Sequence, residues 1–175
     1  MIEHAMRIER DAPLGIAYTV ADAQTLDRTF APASFDVATS CLALQDVPDP
    51  ERALRAMHTV LRPGGRAVVS IAHPCSDTPY REWLKDAGGR KLALSIDRYF
   101  ERTVMRYRWT GWSYEFTTPA VHAPLEDWFR WILGAGFALC TFAEPRPSAE
   151  ALREHPDLED AARVPYFAMF GLARS

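Results

Sequence analysis

FDVATSCLALQDVPDPERALRAMHTVLRPGGRAVVSIAHP, residues 35–74, decides the fold. Its first part, residues 35–44, is an apolar run introduced by the turn-like Ala31-Pro32-Ala33-Ser34, and it reads as a buried strand. Asp49 then stands as a helix N-cap and Pro50 at the first helical position. Ala53, Leu54, Met57 and Leu61 form one apolar stripe over residues 50–61. Pro63-Gly64-Gly65 stops that helix, and residues 66–72 (RAVVSIA) read as another buried strand. Strand, helix and strand, with both strands largely apolar, point to a parallel sheet covered by helices.

Outward from this unit the pattern continues. Residues 15–23 (GIAYTVADA) read as a further buried strand ending near Asp22. Residues 1–11 place Ile2, Ala5, Met6 and Ile8 at helical spacing, and Pro13 and Gly15 end that helix. Downstream of His73-Pro74, residues 78–87 suit a short helix. Residues 98–116 read as two β arms around Thr110-Gly111, a hairpin inserted into the α/β plan. An amphipathic helix is expected over 124–134, and closing strands over 137–143 and 166–173 with a helical stretch at 148–155 between them. No linker marks a boundary, so residues 1–175 read as one domain.

Composition narrows the class. With 48% apolar and 25% charged residues, the 175-residue chain is globular rather than disordered. A net charge of -3 gives no electrostatic reason for a nucleic-acid partner. Arg98, Arg102, Arg106 and Arg108 alternate with aromatics, which fits a solvated hairpin face better than an RNA-stacking strip. Lysine occurs only at Lys85 and Lys91 among 20 basic residues, a skew that hints at a GC-rich bacterial genome. Cys41, Cys75 and Cys140 lack metal-ligand spacing and read as thiols in a reducing cytoplasm. No stretch approaches a membrane span, and the N-terminus is not a signal peptide, so a cytoplasmic location is expected with no membrane partner.

The run over residues 35–74 resembles the central part of a class I S-adenosylmethionine-dependent methyltransferase: a strand ending in small polar residues, a "VPDPERAL"-like helix, then "LRPGG" into the next strand. GIAYTVADAQTL resembles the family strand whose terminal Asp and next residue bind adenine, and PLEDWFRWILGAGF the late helix and turn into the sixth strand. The resemblance implies a Rossmann-like, mostly parallel sheet with an antiparallel last strand, and S-adenosylmethionine as cofactor. It also implies a small organic acceptor, covered by an inserted lid at about residues 76–122.

By that resemblance Asp22 and Ala23 would hold adenine, while Ser40, Cys41, Leu42 and Gln45 would face the cofactor at the end of the strand. Read alone, Asp22 caps a turn, Cys41 is a packed thiol and Gln45 a helix-entry residue. His73, at the end of residues 66–72, and His122, before the late helix, are the candidate catalytic bases. A structural histidine before proline accounts equally well for His73. Ala123 follows His122 where relatives carry arginine, so no anion-binding arginine stands there. Tyr99, Trp109, Trp112 and Tyr114 on the hairpin are the candidate acceptor-binding residues, with plain packing as the other reading.

The family's glycine-rich turn and the acidic residue that holds the ribose are absent from these 175 residues: none of the nine glycines forms G-x-G-x-G. The family's strand order is 3-2-1-4-5-7-6, so a chain without the first two strands leaves residues 15–23 without a neighbour. They must pair with residues 35–44, borrow another chain in a homodimer, or stay weakly ordered. A late start codon, a deliberate fragment and a degenerate protein each explain this. Three functions follow: a small-molecule methyltransferase incomplete as given, a non-catalytic partner-binding remnant, and a nicotinamide oxidoreductase. The last lacks any dinucleotide fingerprint.

Overall fold

A computed structural model describes residues 2–111 and 115–175, so the candidate residues Trp112 and Tyr114 lie outside the described residues. Its core is a four-stranded sheet of β1 (Phe35–Cys41), β2 (Leu61–Ala72), β7 (Phe137–Ala143) and β8 (Phe167–Arg174), in the order β1-β2-β8-β7. β1 and β2 run parallel, in register from Val37 opposite Arg66 to Cys41 opposite Ser70. β8 runs antiparallel to both β2 and β7. This is the mixed α/β sheet expected from the apolar strands and the family order, and the strand boundaries at 35, 72, 137 and 143 fall within a residue or two of the apolar runs.

Between β1 and β2, α3 (Pro50–Val60) starts as its sequence dictates: the Asp49 carboxylate accepts from the Arg52 N–H at 2.9 Å, and Pro50 occupies the first turn. Its stripe of Ala53, Leu54 and Met57 shares one core with Leu61, Ala67, Val69 and Ile71 of β2 and Ala168, Phe170 and Leu172 of β8. α4 (Leu125–Gly134) adds Trp128 and Ile132 to the same core. The alternation in β2 sends its other residues to an uncovered face, where Val68 is 42% exposed. Pro63-Gly64-Gly65 does not delay β2; the strand begins at Leu61, and the pairing with β1 shifts register between Phe35, opposite Leu61, and Val37, opposite Arg66. A side chain at Gly65 would press its Cβ to 2.8 Å from the Arg62 carbonyl, so glycine is required there.

The short elements α2 (Leu26–Thr29) and α5 (Ala149–Glu154) and a 3-10 turn at Ala23–Thr25 complete the α part, with α1 (Ile2–Asp11) at the N-terminus. Three expectations need correction. Residues 15–23 form no strand: among the described residues they have no sheet neighbour, and the Glu9 carboxylate instead gathers the N–H groups of Leu14, Gly15 and Ile16 at 2.7–3.0 Å. Residues 78–87 are not helical, because β3 (Arg81–Lys85) pairs antiparallel with β4 (Lys91–Ile96). The Asp86 carboxylate, accepting from the Gly88 and Arg90 N–H groups, builds the turn between them. The other hairpin is displaced toward the C-terminus: its arms are β5 (Thr103–Trp109) and β6 (Phe116–His122), while Arg98, with a positive φ of 51°, sits in a turn before them.

Candidate functional site

The carboxyl ends of β1 and β2 open into a cleft of about 410 Å³ lined by Leu42, Gln45, Asp46, Ala72, Asp77, Arg81, Tyr107, Trp109, Ala120 and Phe167. Parallel strands place ligand sites beyond their carboxyl ends, because the loops leaving them diverge there. Leu42 closes β1 in the left-handed region (φ 48°), its N–H donating to the Ser70 carbonyl at 3.0 Å, and this turns the chain into the 3-10 turn Leu44–Asp46. That turn presents Gln45 and Asp46 to the cleft while Leu44 enters the core.

β5 and β6 supply the opposite wall. Their register puts Tyr107 opposite Thr118 and Trp109 opposite Phe116. The Tyr107 hydroxyl donates to Asp77 Oδ1 at 2.7 Å, and Trp109 Nε1 donates to Thr118 Oγ1 at 2.9 Å while its ring stacks on Phe116. The hairpin is pinned at its base: Arg102 donates twice, at 2.6 and 2.7 Å, to the wholly buried Asp127 carboxylate of α4, which Arg130 also reaches.

The charges of the cleft are unevenly satisfied. Asp77 accepts from Tyr107 and lies 3.8 Å from the Arg81 guanidinium, which also donates to the Ser76 carbonyl. Burial, the bonded Asp77 and its charge hold the Tyr107 phenol well above the usual tyrosine range, so it stays a neutral donor. The Asp46 carboxylate has no hydrogen-bond or ion-pair partner among the described residues, and burial together with the nearby Asp77 raises its carboxyl above the usual range. The Gln45 Oε1 is buried without a hydrogen-bond partner.

Of the residues singled out from sequence, Leu42, Gln45 and Trp109 line this cleft. Ser40 and Cys41 lie at the end of β1 beside it. Asp22 lies outside: its carboxylate accepts from the Gln24 N–H at 2.9 Å and caps the 3-10 turn that begins at Ala23. Neither histidine lines the cleft. His73 is buried, accepts from the Cys75 N–H through Nδ1 at 3.2 Å, and holds Nε2 3.1 Å from Glu144; burial pushes its pKa down against the pull of that carboxylate. His122 is also buried, with Nε2 3.1 Å from the Tyr99 carbonyl. Tyr99 stands behind β6, its hydroxyl accepting from the Leu125 N–H at 2.8 Å. Asp46, Asp77, Arg81 and Tyr107 were missed. Asp46 had been visible as an acidic residue directly after Gln45, but nothing in the sequence tied it to residues 31 and 61 positions away.

Comparison with known proteins fits this geometry. A family described as "Methyltransferase domain" matches residues 1–69. The ubiquinone/menaquinone biosynthesis C-methyltransferase of Cellvibrio japonicus is 45% identical over 62 residues, 35% of this chain and 24% of that protein. The Xanthomonas oryzae protein of the same name is 30% identical over 132 residues, 73% of this chain and 47% of that protein. The chain thus spans less than half the length of these curated relatives. A solved S-adenosylmethionine-dependent methyltransferase from Mesorhizobium loti superposes with a TM-score of 0.83 at 29% identity, covering 98% of this chain and 76% of that one. One from Clostridium acetobutylicum, at 12% identity, shares the fold with a TM-score of 0.59 over 98% of this chain and 70% of that one.

Proposed function

Because the chain belongs to the class I S-adenosylmethionine-dependent methyltransferases, we propose that it carries the acceptor side of a methyl-transfer site, and that the cleft between β1, β2 and the β5–β6 hairpin takes a small organic acceptor. S-adenosylmethionine, the family's cofactor, supplies an electrophilic methyl group when bound. The residues present fit that group at one point above all: the buried Gln45 Oε1, orphaned at the carboxyl end of β1, awaits a donor that the protein does not provide. Ser40, Cys41, Leu42 and Gln45 would face the cofactor, and Asp22 with the Ala23 N–H its adenine. Trp109 and Tyr107 exclude water and flank the acceptor. The inserted segment at about 76–122 then acts as the lid, with β5–β6 its working part. His73 and His122, buried behind the cleft, position β2 and β6 rather than touch the acceptor.

The observation that carries this reading is the cleft itself, formed where parallel strands end and walled by an aromatic hairpin. Amide NMR tests it. Millimolar S-adenosylhomocysteine should shift the resonances of residues 40–46 and 22–24 and leave those of α5 unmoved. Shifts confined elsewhere, or none, overturn it.

A second reading, a non-catalytic module that pairs with another copy of this chain, is favoured by one observation. β1 is an edge strand with a single sheet neighbour among the described residues, and its Phe35 and Val37 are exposed. Sedimentation showing a monomer at all concentrations eliminates it.

A further inference from the structure

α1 is ordered without being packed. None of its residues is buried, and it contributes none to the core. A free helix of ten residues is marginal in water, because its few hydrogen bonds barely repay nucleation. What holds α1 locally is the Glu9 carboxylate, which gathers the N–H groups of Leu14, Gly15 and Ile16 and turns the chain back beside the helix. Between the helix and that returning segment runs a groove of about 400 Å³, lined by Glu3, Met6, Glu9, Arg10, Ile16 and Tyr18. The apolar side chains in and around it face water: Met6, Ile8 and Ile16 are about half exposed, and Leu14 and Val20 about four-fifths.

The two ends of the groove carry opposite charge. Glu3, Met6 and Arg10 stand at i, i+3 and i+7, so one face of α1 shows an acid, an apolar side chain and a base over about 10 Å. Neither the Glu3 carboxylate nor the Arg10 guanidinium has a hydrogen-bond or ion-pair partner among the described residues, whereas Arg7 is bonded to His4 and Glu9 to the backbone. Such a face is complementary to itself run backwards. A twofold axis near Met6 lays Glu3 of one copy against Arg10 of the other, twice, with Met6 against Met6 between them. We propose that this groove is a self-association surface, through which two copies of the chain pair with their α1 helices antiparallel. The proposal is independent of the cleft beyond β1 and β2, and it places self-association away from the β1 edge. Burial of Met6, Leu14 and Ile16 supplies the driving force, and the unbranched methionine adapts to its own copy. The charges set the direction, because a parallel pair would press acid on acid and base on base.

Sedimentation velocity over a range of concentrations reads the association, and charge reversal identifies the surface. Glu3→Arg alone and Arg10→Glu alone each set like charges together twice in a symmetric pair, so each should weaken self-association about tenfold. An equimolar mixture of the two variants should associate to within about threefold of the unaltered protein, since each reversed side chain then meets an opposite charge on the other variant. Both variants carry any damage to their own helix into the mixture, so recovery there comes from the contact and not from folding. The amides of α1 should gain protection from exchange as the unaltered protein is concentrated, and Val37→Asp on β1 should leave the association unchanged. A monomer at every concentration overturns the proposal, including one whose α1 becomes protected on phosphatidylcholine vesicles. A mixture no better than its components, or loss of association in Val37→Asp, overturns it equally.

Discussion

Residues 2–22 and residues 35–175 obey different physics. In the first region no residue is buried, α1 presents Met6 and Ile8 to solvent, and Leu14 and Val20 are about four-fifths exposed. Its order comes from local hydrogen bonds to Glu9, whose carboxyl is held below the usual range by the backbone N–H groups it accepts, Ile16 first. The second region has a continuous core from Leu44 to Leu172. The boundary falls at Asp22–Asp27, where Gln24 accepts from the Asp49 N–H and its carbonyl from Arg52, tying the chain to α3. The well-packed region holds the cleft at the carboxyl ends of β1 and β2, and the thin one carries Asp22, which the proposed function sets against adenine.

The largest expected effect follows from that asymmetry. The family's glycine turn and ribose carboxylate make several hydrogen bonds to the cofactor, each contributing about 1.5–3 kcal/mol when charge is involved. Without two or three of them, these 175 residues should bind S-adenosylhomocysteine on the order of a thousandfold more weakly than a chain possessing them. Calorimetry reads this directly. Micromolar affinity would show that another segment does the work of the loop and that the first region is better organised than its burial suggests.

Next in size is the contrast in stability. Leu54→Ala in α3 removes a side chain with no exposed surface and should cost about 3 kcal/mol in urea unfolding. Ile8→Ala in α1, more than half exposed, should stay within about 0.5 kcal/mol. Comparable losses would mean the two regions unfold as one unit.

Much of the second region is legible in sequence, and the reasons are local. Asp49-Pro50 declares α3, and the apolar runs of residues 66–72 and 166–173 declare strands whose partners lie within the same core. Residues 15–23 carry strand-forming residues yet form none, because pairing needs a neighbour that composition cannot supply. Residues 78–87 mislead for a different reason: Trp83 and Leu84 satisfy a helical stripe as readily as a strand, and the Asp86 turn settles the matter. At the site, Leu42, Gln45 and Trp109 were accessible through strand ends and the hairpin. Asp77 and Tyr107, 30 positions apart, were not, since only the fold of the hairpin over β2 brings them together.

A smaller effect probes how the β5–β6 hairpin is held. Asp127→Ala removes the carboxylate that Arg102 grips, so the amides of β5 and β6 should exchange with solvent on the order of tenfold faster, and those of β2 and β8 hardly at all. The β3–β4 hairpin offers an internal control, because it is clasped elsewhere, by Lys91 to Asp160 and by Arg163 to the Lys91 and Leu92 carbonyls. Faster exchange in both hairpins would show a global loosening instead of release of β5–β6 alone.

The smallest effect is a pH dependence confined to the packed region. His73 and His58 both have folded pKa values lowered, chiefly by burial, with Glu144 opposing the shift at His73 and Arg174 reinforcing it at His58. An unfolded histidine titrates at about 6.5, so between that value and the lower folded pKa the unfolded chain binds more protons than the native one. Stability should therefore be fully present above about pH 6.5 and decline as pH falls below it, reaching a plateau once the folded pKa of each ring is passed. Asp46, with its folded pKa raised, works in the opposite direction and in a lower window: its contribution is present below the unfolded aspartate value of about 3.9 and is lost as pH rises through the folded value. The two windows separate the groups. Urea midpoints measured from pH 5 to 8 should fall toward the acid end, and His73→Asn should flatten part of that slope while α1, which packs against neither ring, keeps its own exchange behaviour. A midpoint that rises on acidification would mean that the Glu144 carboxylate outweighs burial at His73, and that the ring is held as a cation at the back of the cleft.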